Sequence, residues 1–205
     1  MSQPPSERPF LGLIDFARLV LDALEAAEAD YMLGGALAVA AWAEARSTQD
    51  VDIVVSVPLE HIKRLSKELE KRDMLVPVEV ILDTFLESRA DIPINAIHLH
   101  TGYKAELFLL RGGDALRESA FARRKMIDLG PPLGAVYVHA PEDLILYKLH
   151  YFRVSQQPKH IRDIASIVLA MTNELEYAYI EDWATSLGLQ PLWDEVQEQI
   201  QGLGS

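Results

Sequence analysis

From Asp50 to Val55 the chain reads Asp-Val-Asp-Ile-Val-Val, an apolar strand that carries two acids. Side chains alternate between faces along a strand, so Asp50 and Asp52 point one way while Val51, Ile53 and Val55 point into a core. Like charges held together among apolar residues are costly unless a cation joins them. Mg²⁺, which takes one or two carboxylates plus substrate phosphate oxygens, meets that need.

At 205 residues, 49% of them hydrophobic and 24% charged, the chain suits one main core with a helical appendage. No apolar run is long enough to span a bilayer, and Met1–Phe10 is too polar and proline-rich for a signal peptide, so the expectation is a cytoplasmic protein without membrane contact. Absence of cysteine excludes disulfides, thiolate zinc sites and a cysteine nucleophile. A net charge of −12 argues against a broad electrostatic grip on nucleic acid, although Arg123-Arg124-Lys125 and the span Lys148–Arg162 are locally basic.

Helical spacing predicts a first helix over Pro9–Ala29, then a short strand Tyr31–Leu33 that ends in Gly34-Gly35. Helix formers fill Ala36–Ala45, a strand runs Asp50–Val57, and Leu59–Lys71 reads as a helix. Met74–Arg89 fits strand or helix, and helix is taken. Ile94–Leu99 and Tyr103–Leu110 form a hairpin around His100-Thr101-Gly102. After a short helix Asp114–Ala120, Arg124–Leu129 and Ala135–Val138 pair around Gly130-Pro131-Pro132. From Pro141 the pattern is helical: to about Phe152, then Lys159–Met171, Glu176–Leu187 and Pro191–Gln201. The expected division is an α/β core over 1–140 with helices over 141–205.

Gly34-Gly35 at a helix start offers backbone N–H groups and the positive end of a helix dipole to a phosphate. Asp50 and Asp52 follow closely, and Glu106 is a third acid in an otherwise apolar strand. If two ions are used, one each for attacking and leaving oxygens, such a third carboxylate is what the chemistry requires.

These residues resemble the nucleotidyltransferases of the DNA polymerase β-like fold, whose signature is a Gly-Gly or Gly-Ser turn opening a helix, an Asp-x-Asp on the next strand and a later third carboxylate. The Arg46-x-Thr48-x-Asp50-x-Asp52 spacing is similar to the minimal prokaryotic branch, which includes abortive-infection and tRNA-modifying toxins. That branch carries a later lysine and an Arg/Lys-Asp pair, matched here by Lys148 and Arg162-Asp163. The resemblance spans roughly residues 31–168. It departs at Gly35, where many members have serine, and at Glu106, where aspartate is usual.

The resemblance implies an α+β fold: a small mixed sheet flanked by helices, with a helical carboxy-terminal part. It implies transfer of a nucleoside monophosphate from a nucleoside triphosphate to a hydroxyl acceptor, which is a tRNA, a protein or a small molecule such as an aminoglycoside. Asp50, Asp52 and Glu106 would be catalytic and ligate two Mg²⁺ ions, Mn²⁺ being the alternative. Gly34 and Gly35 would cradle phosphate, and Lys148 would offset triphosphate charge. Arg46 and Thr48 would shape the loop or touch phosphate, and Asp163 would orient Lys148 or the acceptor. A cognate toxin or antitoxin and a second copy of the chain are the partners it suggests. A catalytically degenerate nucleotide-binding member is the alternative, and an unrelated interaction domain is a third reading.

Plainer readings stand beside these. Glu106 could be a protective charge on an edge strand, Lys148 a lysine snorkelling over Leu144, Tyr147 and Tyr151, and Arg162-Asp163 a surface ion pair. His98 and His100 share a strand face without a third ligand nearby. Arg123-Arg124-Lys125 reads as a solvated face, and Trp42, Trp183 and Trp193 as packing residues.

Overall fold

The computed structural model describes residues 11–87 and 92–203. Pro9, Phe10, Ser88 and Arg89, included in the expected helices, lie outside them. Six strands form one mixed sheet: β1 (Asp30–Leu33), β2 (Asp50–Ser56), β3 (Ile94–Ile97), β4 (Lys104–Leu109), β5 (Lys125–Asp128) and β6 (Ala135–Val138). Their order is β3-β4-β2-β1-β6-β5. The hairpins β3/β4 and β5/β6 are antiparallel, as their turn residues predict. Pairings β2/β4 and β1/β6 are parallel, and each needs a crossover connection.

Strand alternation sorts the two faces. Val51, Ile53 and Val55 of β2 and Ala105, Leu107 and Leu109 of β4 are buried. They join one apolar core with α1 (Leu13–Ala26), which contributes Phe16, Val20 and Leu24, and α2 (Ile62–Glu70), which contributes Ile62, Leu65 and Leu69. On the opposite face Val54 and Phe108 pack with Met32 under Phe121 of α3 (Ala115–Arg123). Asp50, Asp52 and Glu106 occupy that second face nearer the amino-terminal ends of their strands, and all three are partly exposed.

The stretch Ala36–Ala45 departs from expectation. Its helix, α4, is short (Gly35–Val39), and turns carry the chain to residue 42. Alanine propensity loses to tertiary contacts: Trp42 Nε1 donates to His139 O (2.8 Å), and Arg46 is held by Asp163 of a distant helix. Met74–Arg89 resolves as helix α5 over Val78–Leu86, begun after Pro77, while Met74 bridges to His98.

The carboxy-terminal helices are α6 (Pro141–Ser155), α7 (Pro158–Ala170), α8 (Tyr177–Ser186) and α9 (Gln190–Leu203). Pro141 and Pro158 occupy first turns, where a missing N–H costs nothing. Gln156, at φ 54°, ends α6 in the left-handed conformation and reverses the chain, so α6 and α7 pack side by side. Leu144, Ile145, Ile164 and the fully buried Trp193 enter the same core as the sheet residues.

Because β1 runs antiparallel to β2, the end of β1 lies beside the start of β2, with Leu33 opposite Ile53. Parallel pairing puts Val138 of β6 opposite Leu33 and Lys104 of β4 opposite Asp50. One end of the central strands therefore gathers the Gly34-Gly35 turn, the acids of β2 and β4, and His139.

Candidate active site

A cleft of about 520 Å³ opens at that end. Gly34, Gly35, Arg46, Thr48, Asp50, Asp52, Glu106 and Lys148 all line it, eight of the nine residues expected from the sequence. The ninth, Asp163, sits behind the wall.

Asp52 stands opposite Glu106 in the parallel β2/β4 register, so their side chains share a face. β4 lies between β2 and β3, not at an edge, which removes the edge-protection reading of Glu106. Burial and the nearby Glu106 charge push the Asp52 carboxyl up to about 6. No hydrogen bond or ion pair joins its side chain to another described residue, so it faces the cleft unpaired. Glu106 is engaged instead by Lys104, whose Nζ lies 2.6 Å from its Oε1 and 3.4 Å from Asp50 Oδ1.

The turn before α4 wraps the backbone of Asp52: Gly34 N–H donates to Asp52 O at 2.8 Å. Gly35 has φ +56°, and a β-carbon there would meet Asp52 Oδ2 at 1.7 Å. Serine at this position, the residue many relatives in the resembled family carry, would strike the acid, so the departure at Gly35 has a steric cause in this chain. Thr48 shapes the loop: its hydroxyl donates to Asp50 O (3.1 Å) and accepts from Asp50 N–H (3.3 Å).

Asp163 is 2% exposed and is no surface partner of Arg162. It accepts from Arg46 Nε (2.7 Å) and Nη2 (3.1 Å), a bidentate pair, and from Lys148 Nζ at 2.6 Å. Burial opposes its ionisation, but the two cations win and hold its carboxyl below the usual range. Lys148, itself 5% exposed, is therefore an anchored cation rather than a snorkelling one.

Sequence reading missed His139, Arg117, Tyr147 and Lys159, which also line the cleft. His139 Nδ1 lies 3.0 Å from Leu33 O; a carbonyl only accepts, so Nδ1 carries the proton. Burial pushes this imidazole down to about 4, leaving it neutral with a bare Nε2. Its ring packs edge-on against Tyr147 at 5.4 Å. His139 stands two residues before the Pro141 helix start, but only the β1/β6 pairing brings it to Gly34. Tyr151 and His160 stack at 6.0 Å across α6 and α7.

One expectation outside the cleft changes. Arg123 is not a solvated charge: it pairs with Glu142 (3.1 Å), Asp143 (3.4 Å) and Glu176 (3.3 Å) and lies over Tyr179. Arg124 lies over Phe121 and Tyr137. His98 is buried and accepts or donates at Thr101 Oγ1 (2.9 Å), whereas His100 reaches Asp73. The tryptophans pack as expected, Trp193 fully and Trp42 and Trp183 in part.

Among the described residues no group of three histidine, cysteine or acidic side chains is gathered at metal distance. The donor set nevertheless suits a hard divalent cation: three carboxylates share one face, and Asp52 is free to ligate. One or two carboxylates with phosphate oxygens satisfy Mg²⁺. No described helix is long and apolar enough to cross a membrane.

No family model and no curated protein sequence matches the chain. Solved structures that share its fold include the following two. The antibiotic-resistance factor ANT(2'')-Ia is 16% identical with a TM-score of 0.56, over 93% of this chain and 96% of that one. An antigenic nucleotidyltransferase-like protein from Paracoccidioides brasiliensis is 17% identical with a TM-score of 0.52, over 89% and 91%. The mixed sheet and its helices thus form a nucleotidyltransferase fold.

Proposed function

We propose that this chain, built on the nucleotidyltransferase fold, transfers a nucleoside monophosphate from a nucleoside triphosphate to a hydroxyl acceptor. The observation that carries the reading is the juxtaposition of Asp52 and Glu106 on paired strands, against a glycine turn and beside Lys148, in one cleft.

Asp50 and Asp52, with Glu106 completing the acidic floor, are the residues that would hold Mg²⁺ or Mn²⁺. The bound cation would offset charge on the triphosphate and polarise the α-phosphorus. The acceptor oxygen forms a bond to that phosphorus, the bond to the bridging oxygen breaks, and pyrophosphate leaves. The acceptor proton passes to a carboxylate of the acidic floor. Gly35, with no β-carbon, lets the turn close against Asp52, and the backbone N–H groups at the start of α4 would meet phosphate. Lys148, fixed by Asp163, presents a point charge to the triphosphate.

For the acceptor we favour a small cationic molecule over tRNA or protein. The net charge of −12 repels nucleic acid, and a fold neighbour is described as an antibiotic-resistance factor. A non-catalytic nucleotide-binding role is the second reading, favoured by the Lys104 contact that occupies Glu106.

Incubation with α-labelled triphosphate and a panel of aminoglycosides, tRNA and protein acceptors tests the reading. Label should move to an acceptor, and Asp52→Ala should abolish this while leaving the circular dichroism spectrum unchanged. Nucleotide binding without any transfer selects the second reading.

A further inference from the structure

The alternation that puts three acids on one face of β2 and β4 puts a fourth charged group among them. Lys104 stands two residues before Glu106 on the same strand and opposite Asp50 across the pairing. Its ammonium lies 2.6 Å from Glu106 Oε1 and 3.4 Å from Asp50 Oδ1, and its side chain is only 32% exposed. Asp52 receives no such contact. The acidic floor is thus divided: one gap is already bridged by a cation and one carboxylate is open to the cleft.

We propose that Lys104 is a resident cation occupying the gap between Asp50 and Glu106, so that the cleft takes up one divalent ion with nucleotide, at Asp52, rather than two. This rests on the reading that the cleft binds a metal–nucleotide pair. A divalent ion entering the Asp50/Glu106 gap would meet the ammonium at close range, where like charges repel strongly, and would have to strip Glu106 of a charge-assisted hydrogen bond. A tethered ammonium also cannot dissociate, so the charge of Glu106 stays offset whether or not nucleotide is present. Lys104 is here a positioning residue: it sets which carboxylates are open to the ion.

Counting bound Mn²⁺ by electron paramagnetic resonance, on the full chain with a non-hydrolysable triphosphate, tests this. Wild type and Lys104→Arg should each bind one ion per chain, and Lys104→Met should bind two. Two ions in wild type overturn the inference, even if labelled transfer proceeds and the proposed function stands. One ion in a folded Lys104→Met variant also overturns it, because something other than the lysine then excludes the second. No ion in wild type removes the metal–nucleotide reading and the inference together. Should Lys104→Met fail to fold, the wild-type and Lys104→Arg counts decide.

Discussion

Gly35 and Asp52 are packed so closely that the acid's Oδ2 occupies the space where any other residue at position 35 would place its first side-chain carbon. The glycine also holds a left-handed backbone that L-residues adopt at a cost. Gly35→Ala should therefore lose most transfer activity and about 1–3 kcal/mol of stability. Urea unfolding and the labelled-transfer assay check the two effects; a variant with wild-type values in both would mean the turn is free to move.

Asp52 should be a site where stability and function oppose each other. Its folded carboxyl is raised to about 6 against 3.8 unfolded, so its ionisation weighs against the fold as pH rises through that window. Asp52→Asn should raise metal-free stability by roughly 1–3 kcal/mol at pH 8 and by less at pH 5. Thermal unfolding at both pH values measures this, and a destabilised variant at pH 8 would contradict it.

His139 gives the reverse dependence. Its folded pKa is depressed to about 4 from 6.5, so the unfolded chain takes up the proton first, and stability is lost as pH falls through that range. His139→Gln should flatten this part of the pH–stability curve. An unchanged slope would show that the imidazole titrates as it does in water.

Asp163 should matter more than either cation it holds. Asp163→Ala strands the buried Lys148 and releases Arg46, at a cost of about 3–5 kcal/mol. Lys148→Met leaves the bidentate Arg46 pair intact and should cost less. Denaturation of both variants and the double mutant orders them.

Nucleotide and Mg²⁺ together should raise the unfolding free energy by about 2.7 kcal/mol at a hundredfold excess over Kd. EDTA should reverse the gain, as followed by differential scanning fluorimetry.

Strand chemistry made much of the cleft readable. Alternation alone places Asp50, Asp52 and Glu106 on one face once the pairing is known, and Gly34-Gly35 marks its turn without tertiary information. Hairpins and proline-opened helices were equally local. What stayed hidden depends on contacts between distant segments. Lys104 looked like an ordinary strand residue because its meaning lies in register with Asp50, and His139 reaches the turn only through β1/β6 pairing. Alanine content predicted a long helix after Gly35 that contacts from Trp42 and Arg46 cut short. Arg162-Asp163 showed the right motif, but only packing of α6 on α7 reveals that Asp163 turns inward.

The bond between Arg46 and Asp163 spans 117 positions of sequence. On a ribosome, the loop leading into the acidic strand must wait for α7 to emerge before it can be pinned. The cleft is therefore finished late in synthesis, long after its acids have been made, and a nascent chain halted before residue 163 lacks the clamp that fixes both Arg46 and Lys148.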